Sequence, residues 1–284
     1  MGAARDSILR SPRLAQARRG RRKRIIFRLV FFLIILVALP FAVGYSPWLR
    51  VGQVSVSSNQ VVSADEIKYF AQNEISGQKF SVPKNSLIIF RRAALVRAIL
   101  AKFSRLDGAN IGIDWRGFKP ADGFPSLALT ITVKEREPFA VWCRGESDRF
   151  FLDRTGLVFD TAPQFSAPVY LIFVGGDLST SSTTDPINKN IMNATDFSQT
   201  MELVRGIETM NLDPKLVSII SADSIEVGLG TGGVLRFSRD VGVAQALENL
   251  HSIISDPKLK LFNGTGGLSI EYIDLRFGNK VFYK

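Results

Sequence analysis

The sequence predicts an α+β protein carried on one membrane helix. A small strand–helix–helix–strand–strand unit follows the helix, and then a larger, mostly antiparallel β unit with two helices. Three observations carry this expectation. A 21-residue apolar run follows a basic tail. Two segments of helical period lie between alternating segments in the first part of the remainder. Beyond Phe139, short alternating runs separated by turn residues dominate.

The net charge of +10 belongs to the tail. Residues 1–28 hold ten of the 36 basic residues (Arg5, Arg10, Arg13, Arg18, Arg19, Arg21, Arg22, Lys23, Arg24 and Arg28) and only one acid, Asp6, so the rest of the chain is close to neutral. That placement argues against a nucleic-acid-binding surface and for attraction of residues 1–48 to membrane lipid. The run "IIFRLVFFLIILVALPFAVGY" carries one charge, Arg28, near its entry end. At about 1.5 Å per residue, roughly 20 residues cross a hydrocarbon layer of about 30 Å. Arg28 can snorkel to the headgroups. Pro40 is tolerated late in such a helix, and Tyr45 and Trp48 fall where interfacial aromatics gather. The basic residues on the N-terminal side predict a cytoplasmic tail over 1–24, a span over 25–45 and an exterior remainder. A cleaved signal peptide, with "ALPFA" as its cleavage site, is the competing reading; tail and apolar run are both long for one.

The exterior part opens on a strand, Val51 to Val56, with its valines expected to alternate on one side. "VVSADEIKYFAQ" supplies a capping box, with Ser63 as N-cap and Glu66 three residues on, ahead of Ile67 and Phe70. "RRAALVRAILAKF" places Leu95, Ile99 and Phe103 at four-residue steps, a second helix. "ANIGIDW" and "LALTITVKE" read as strands, the second with Leu129, Ile131 and Val133 on one face. This order puts two helices on one face of a small sheet, and Pro138 closes the unit. The predicted boundaries are 46–137 and 138–284.

In the second unit, "FAVWC" and "RFFLDRTGLVFD" are strands, the latter a hairpin in which Gly156 supplies a positive φ. "APVYLIFVGG" is an apolar strand, and the Ser/Thr-rich stretch near 178–195 a surface loop. "DFSQTMELVRGIETM" aligns Phe197, Met201, Val204 and Ile207; "DVGVAQALENLHSII" aligns Val243, Leu247, Leu250 and Ile254. "KLVSIIS", "SIEVGLG" and "GVLRFS" are strands between and beside them.

No catalytic pattern stands out. His251 is the only histidine and Cys143 the only cysteine. Neither a zinc set nor an intramolecular disulfide can be assembled from them, and a lone buried thiol is expected. G-x-S-x-G and H-E-x-x-H are absent from the sequence. "GTGG" at 230–233 and at 264–267 lacks a following Lys-Ser/Thr and reads as turns. Glu135 and Glu137 share one side of a strand end, where paired carboxylates are conceivable; a charged end in solvent is the plainer reading. Asp213 has no visible partner. The expectation is a protein that is not an enzyme, with no cofactor, metal or small-molecule substrate. A membrane-anchored cell-wall hydrolase is the rival from another class.

Several phrases together carry a resemblance. "ALTITVKEREPFAVW" looks like the junction I-x-V-x-E-R-x-P-x-A-x-W of the FtsQ/DivIB family of bacterial cell-division proteins. "FFLDRTGLVFD" is similar to its D-x-x-G-x-V-F hairpin, and "IEYIDLRFGNKVFYK" to its terminal Y-[IV]-D-L-R-[YF] strand. The match spans residues 48–284. It implies a polypeptide-transport-associated (POTRA) unit beside the bacterial cytoplasmic membrane and a β unit beyond it. It also implies a non-catalytic scaffold at the division septum. Its implied partners are single-span proteins of the FtsB/DivIC and FtsL types, with other division proteins at the POTRA unit. POTRA units also serve protein transport and assembly, a second alternative. In the family a partner strand joins the sheet edge near the C-terminus; the matching positions here are Tyr272, Asp274, Arg276 and Phe277. Phe277 stands where tyrosine is common, which removes a hydroxyl.

"EYIDLRFGNKVFYK" itself reads as a hairpin on Gly278-Asn279. Tyr272, Asp274 and Arg276 share one face, while Ile273, Leu275 and Phe277 share the other, expected to be the core face. After the turn, Val281 and Tyr283 share one side and Lys280, Phe282 and Lys284 the other. An edge strand here offers spare N–H and C=O groups to a partner, with Tyr272, Phe282 and Tyr283 as anchors. Equally, Lys280 and Lys284 read as guards of an edge that binds nothing.

Overall fold

The computed structural model describes residues 12–46, 49–79, 82–87, 89–114, 120–121, 124–125, 127–145, 148–167, 169–178, 185–256, 259 and 269–284. Expectations for residues 1–11, Trp48, Trp115, part of the Ser/Thr-rich stretch and the second Gly-Thr-Gly-Gly fall outside them.

Helix α1, Pro12–Gly44, is one continuous helix in which the basic segment runs into the apolar one. Its Arg22–Gly44 portion is 23 residues long, enough to cross a membrane. The chain divides into two units, the first of which includes α1.

The first unit contains β1 (Val51–Ser57), α2 (Ala64–Glu74), the short pair β2 (Gln78–Lys79) and β3 (Val82–Pro83), and α3 (Arg92–Lys102). It also holds most of β4 (Leu106–Asp114), the small pair β5 (Pro120–Ala121) and β6 (Phe124–Pro125), and most of β7 (Leu127–Glu135). The expected order of strand, two helices and two strands is present, with sheet order β1-β7-β4 and β1 parallel to β7. Leu127, Leu129, Ile131 and Val133 are buried at every second residue of β7, and Ile67, Ala71, Leu95 and Ile99 come from the helices. Two local expectations are corrected. Ser63 occupies the N-cap position of α2 with extended backbone, but its side chain makes no capping hydrogen bond. The valines of β1 do not simply alternate: a register shift between Val51 and Gln53 puts buried Val51 and Val54 three residues apart.

The second unit is built on a ten-stranded sheet. In chain order it has β8 (Ala140–Arg144), β9 (Asp148–Leu152), β10 (Leu157–Thr161), β11 (Leu171–Gly175), β12 (Lys189–Asn190) and α4 (Ala194–Thr209). Then come β13 (Pro214–Ile219), β14 (Ser224–Leu229), β15 (Val234–Ser238), α5 (Val243–Ile254), β16 (Tyr272–Phe277) and β17 (Lys280–Tyr283). The spatial order is β12-β10-β9-β8-β11-β13-β14-β15-β16-β17. Pairings are antiparallel except β8–β11, β11–β13 and β15–β16. β12 takes up part of the stretch expected to be loop, pairing Lys189 and Asn190 with β10.

One face of this sheet carries the main core beneath the two helices, with Trp142, Phe173, Val217, Val227, Leu235, Ile273 and Leu275 facing Phe197, Met201, Val204, Ile207 and Leu250. On α5 the buried positions are Ala246 and Leu250, flanked by partly buried Val243, Leu247 and Ile254. The helices can approach because Gly206 has no Cβ; one built there would lie 2.3 Å from Leu247 Cδ1. The β9–β10 turn needs Gly156, with φ +80 and the Phe197 ring where a side chain would be. On the opposite face Val141, Phe151 and Phe159 form a smaller cluster with Phe165 and Tyr170. Cys143 is half-buried there rather than buried, and burial pushes its thiol up.

Candidate partner-binding edge

β17 is the last strand of the sheet, and among the described residues nothing pairs with its outer side. Its inner side is satisfied by β16: the Lys284 N–H donates to the Tyr272 carbonyl at 3.2 Å, and the Lys284 carbonyl accepts from Glu271 N–H at 2.5 Å. In an antiparallel ladder, residues alternate between facing the partner strand and facing away. Lys284 and Phe282 therefore point their backbone groups toward β16, and Val281 and Tyr283 point theirs outward. Each outward residue offers one donor and one acceptor.

The hairpin is pinned from below. Val281 packs against the main core, and the Asn249 side-chain amide on α5 donates to the Gly278 carbonyl in the turn. Gln245 in turn donates to Asn249 Oδ1 at 3.0 Å. Gly278 has φ +64, as the tight turn demands.

The facial assignment read from the sequence is corrected at one position. Ile273 and Leu275 are in the core, but Phe277 is 54% exposed. The pairings are Asp274 with Phe282 and Phe277 with Lys280, so β16 spends three steps where β17 spends two. One extra residue reverses the side on which later side chains emerge. Phe277 therefore meets Phe282 on the face away from the helices, ring to ring at 5.2 Å and nearly perpendicular. Asp274, expected beside Tyr272 and Arg276, is indeed on that face but is 5% exposed.

Asp274 is buried because it is surrounded by cations. Arg276 Nε donates to Asp274 Oδ1 at 2.9 Å and Arg276 Nη2 to Oδ2 at 2.6 Å, and the Arg276 backbone N–H adds a third bond to Oδ1 at 3.2 Å. Across the sheet, Asp274 pairs in register with Arg236, which contacts Glu226 at 3.0 Å and lies over the Tyr272 ring at 4.4 Å. The Arg276 hydrogen bonds hold the Asp274 carboxyl below its usual range against the opposing effect of burial. A depressed folded value means that this contribution to stability is complete above the unfolded pKa of about 3.9 and is lost as pH falls through the folded value. Amide exchange in β16 and β17 should accordingly rise below about pH 4, and Asp274→Asn should flatten that rise.

The seven residues singled out from the sequence thus divide. Phe277, Phe282 and Tyr283 are exposed aromatics, with Tyr283 on the helix-facing side opposite Ile273. Tyr272 is half-buried under Arg236, and Asp274 is engaged with Arg276, so both support the surface more than they offer contact. Val281 anchors the strand while its backbone faces out. Arg236, Glu226 and Asn249 were missed. Arg236 and Glu226 stand at outward positions of alternating strands, a legible signal; Asn249 carries none.

Elsewhere the polar groups have simpler partners. Glu135 is largely buried 3.7 Å from Arg105, correcting the expectation of a solvent-exposed strand end, while Glu137 is exposed. Asp213 pairs with Lys215 at 2.9 Å, and His251 is exposed on α5. Among the described residues, no three His, Cys, Asp or Glu side chains gather as a metal set.

No protein-family profile matches the chain. It is similar to a cell division protein FtsQ from Streptomyces bingchenggensis (strain BCW-1), 27% identical over 204 residues, which cover 71% of this chain and 67% of the relative. The resemblance to the FtsQ/DivIB family read from the sequence is borne out by this match.

Proposed function

From that likeness to a cell division protein and from the open edge, we propose that the chain is a non-catalytic, single-span membrane protein of bacterial cell division. It tethers other division proteins by receiving a strand on β17. The proposed arrangement keeps the basic end in the cytoplasm and both folded units outside, at the septum. Its proposed partners are single-span proteins of the FtsB/DivIC and FtsL types, with further division proteins docking on the POTRA-like unit. The observation that carries the reading is the unpaired outer margin of β17 beside three exposed aromatic side chains.

The energetics require both parts. Four outward backbone groups at about 0.5–1.5 kcal/mol net per bond give modest attraction, less than the cost of immobilising a flexible segment. Buried aromatic anchors supply the rest, and Phe277, Phe282 and Tyr283 are placed to do so. Co-purification of the full chain with a co-expressed FtsB/DivIC-type protein tests this. Val281→Pro removes an outward N–H and Phe282→Glu places a charge among the rings. Each should reduce capture at least tenfold, Phe282→Glu without altering the thermal unfolding of the chain. Capture equal to that of the parent chain by both variants would overturn the reading.

A further inference from the structure

A second feature lies elsewhere on the same sheet and does not depend on the edge. Between residues 165–167 and 169–170 and the sheet is a cleft of about 200 Å³. Val141 of β8, Arg149 of β9 and Ile172 of β11 form its floor, and Phe165 and Tyr170 wall it. Val169 at its lip is 70% exposed. Phe165 and Tyr170 rest on each other and on Phe151, with ring centroids 5.4–6.2 Å apart, so the aromatic wall is braced rather than loose. Small-molecule pockets run from about 300 Å³ upward; this volume suits one large side chain.

Its charge is unbalanced. Arg149 forms no ion pair among the described residues, although carboxylates are close in sequence and register. Asp148 is held by Arg144 at 3.0 Å, and Asp160 is held by Arg105. A guanidinium on the floor of a mostly apolar cleft favours an anion beside an apolar group. We propose that this cleft is a second protein-docking site, receiving a bulky apolar side chain flanked by carboxylates from an extended partner segment. Five strand spacings separate β11 from β17, about 24 Å at roughly 4.8 Å each, so the two sites can be filled by separate segments.

Isoleucine-methyl NMR on the full chain in detergent micelles tests this, reading the Ile172 signal during titration with three capped peptides: acetyl-Asp-Phe-Asp-amide, acetyl-Lys-Phe-Lys-amide and acetyl-Asp-Ala-Asp-amide. The first should shift Ile172 and bind at least tenfold more tightly than either other, the factor expected for one charge-assisted contact or one filled apolar pocket. Arg149→Glu should invert the preference between the two phenylalanine peptides, and Ser166→Trp should abolish the shift by filling the lip. Phe282→Glu should leave all of this unchanged, which separates the cleft from the edge. Should Arg149→Glu lose the native methyl spectrum, Arg149→Gln replaces it, with loss of discrimination expected. Equal binding of the two charged phenylalanine peptides, an order unmoved by the Arg149 variants, or an Ile172 signal indifferent to all three peptides would overturn the proposal.

Discussion

Asp153→Ala should lower the stability of the second unit by about 3 kcal/mol, the low end of what breaking a largely buried ion pair costs. The residue is 6% exposed. Its Oδ1 accepts from Thr155 N–H at 2.8 Å, Thr155 Oγ1 at 2.6 Å and Leu157 N–H at 3.1 Å, while Oδ2 accepts from Arg136 Nη1 at 2.5 Å. One carboxylate therefore closes the β9–β10 turn and neutralises an arginine that, among the described residues, reaches one further carboxylate, Asp107 at 3.3 Å. Truncation leaves donors without an acceptor inside a turn whose backbone is fixed by Gly156. For a unit of this size the expected fall in Tm is roughly 6–12 °C, measured by calorimetry on the full chain. Asp153→Asn retains the turn acceptor and loses the charge, so it should fall between the parent and the alanine variant. A change below about 1 kcal/mol, the scale of an exposed ion pair, would contradict the account.

Trp142→Ala should cost more, about 3–5 kcal/mol. The side chain is fully buried at the centre of the main core. It packs on Phe150 with centroids 5.7 Å apart, and its Nε1 donates to the Gly175 carbonyl at 2.9 Å. Alanine leaves a large cavity and takes a donor from a carbonyl on the adjacent parallel strand. Trp142→Phe isolates the second effect. It fills most of the space and should cost about 1–2 kcal/mol, in the range of a lost buried hydrogen bond. Denaturant unfolding followed by far-UV circular dichroism distinguishes the two variants. If they were equally stable, packing would count for nothing beside the indole hydrogen bond.

Both residues were visible in the sequence as motif members, "VWC" and "LDRTGLVF", and so were most elements around them. Long apolar stripes such as Phe197, Met201, Val204 and Ile207 survive tertiary context because a whole helix face must be buried at once. The misread strand faces share one physical cause: alternation is read one strand at a time, whereas a bulge is a property of a pair. The shifts at Val51/Gln53 and at Asp274/Phe277 leave no mark on composition, and the second sent an expected core phenylalanine to the surface. Strand order was equally hidden. The parallel placement of β11 between β8 and β13 rests on contacts far apart in the chain. Burial of Asp274 needed Arg236 and Arg276 together, a constellation from two strands. The cleft at Arg149 was illegible because what marks it is an unmet charge, known only once neighbouring acids have been assigned.

If β17 receives a partner strand as proposed, the additional residue in β16 separates two duties within one hairpin. Adhesion through main-chain groups is blind to side-chain identity and would hold any extended guest. The orientation of the two phenyl rings decides which guest is welcome, and that orientation hinges on a single position's insertion or removal. A lineage could thus exchange its binding clientele by shifting one codon between Asp274 and Phe277, leaving the adhesive margin untouched.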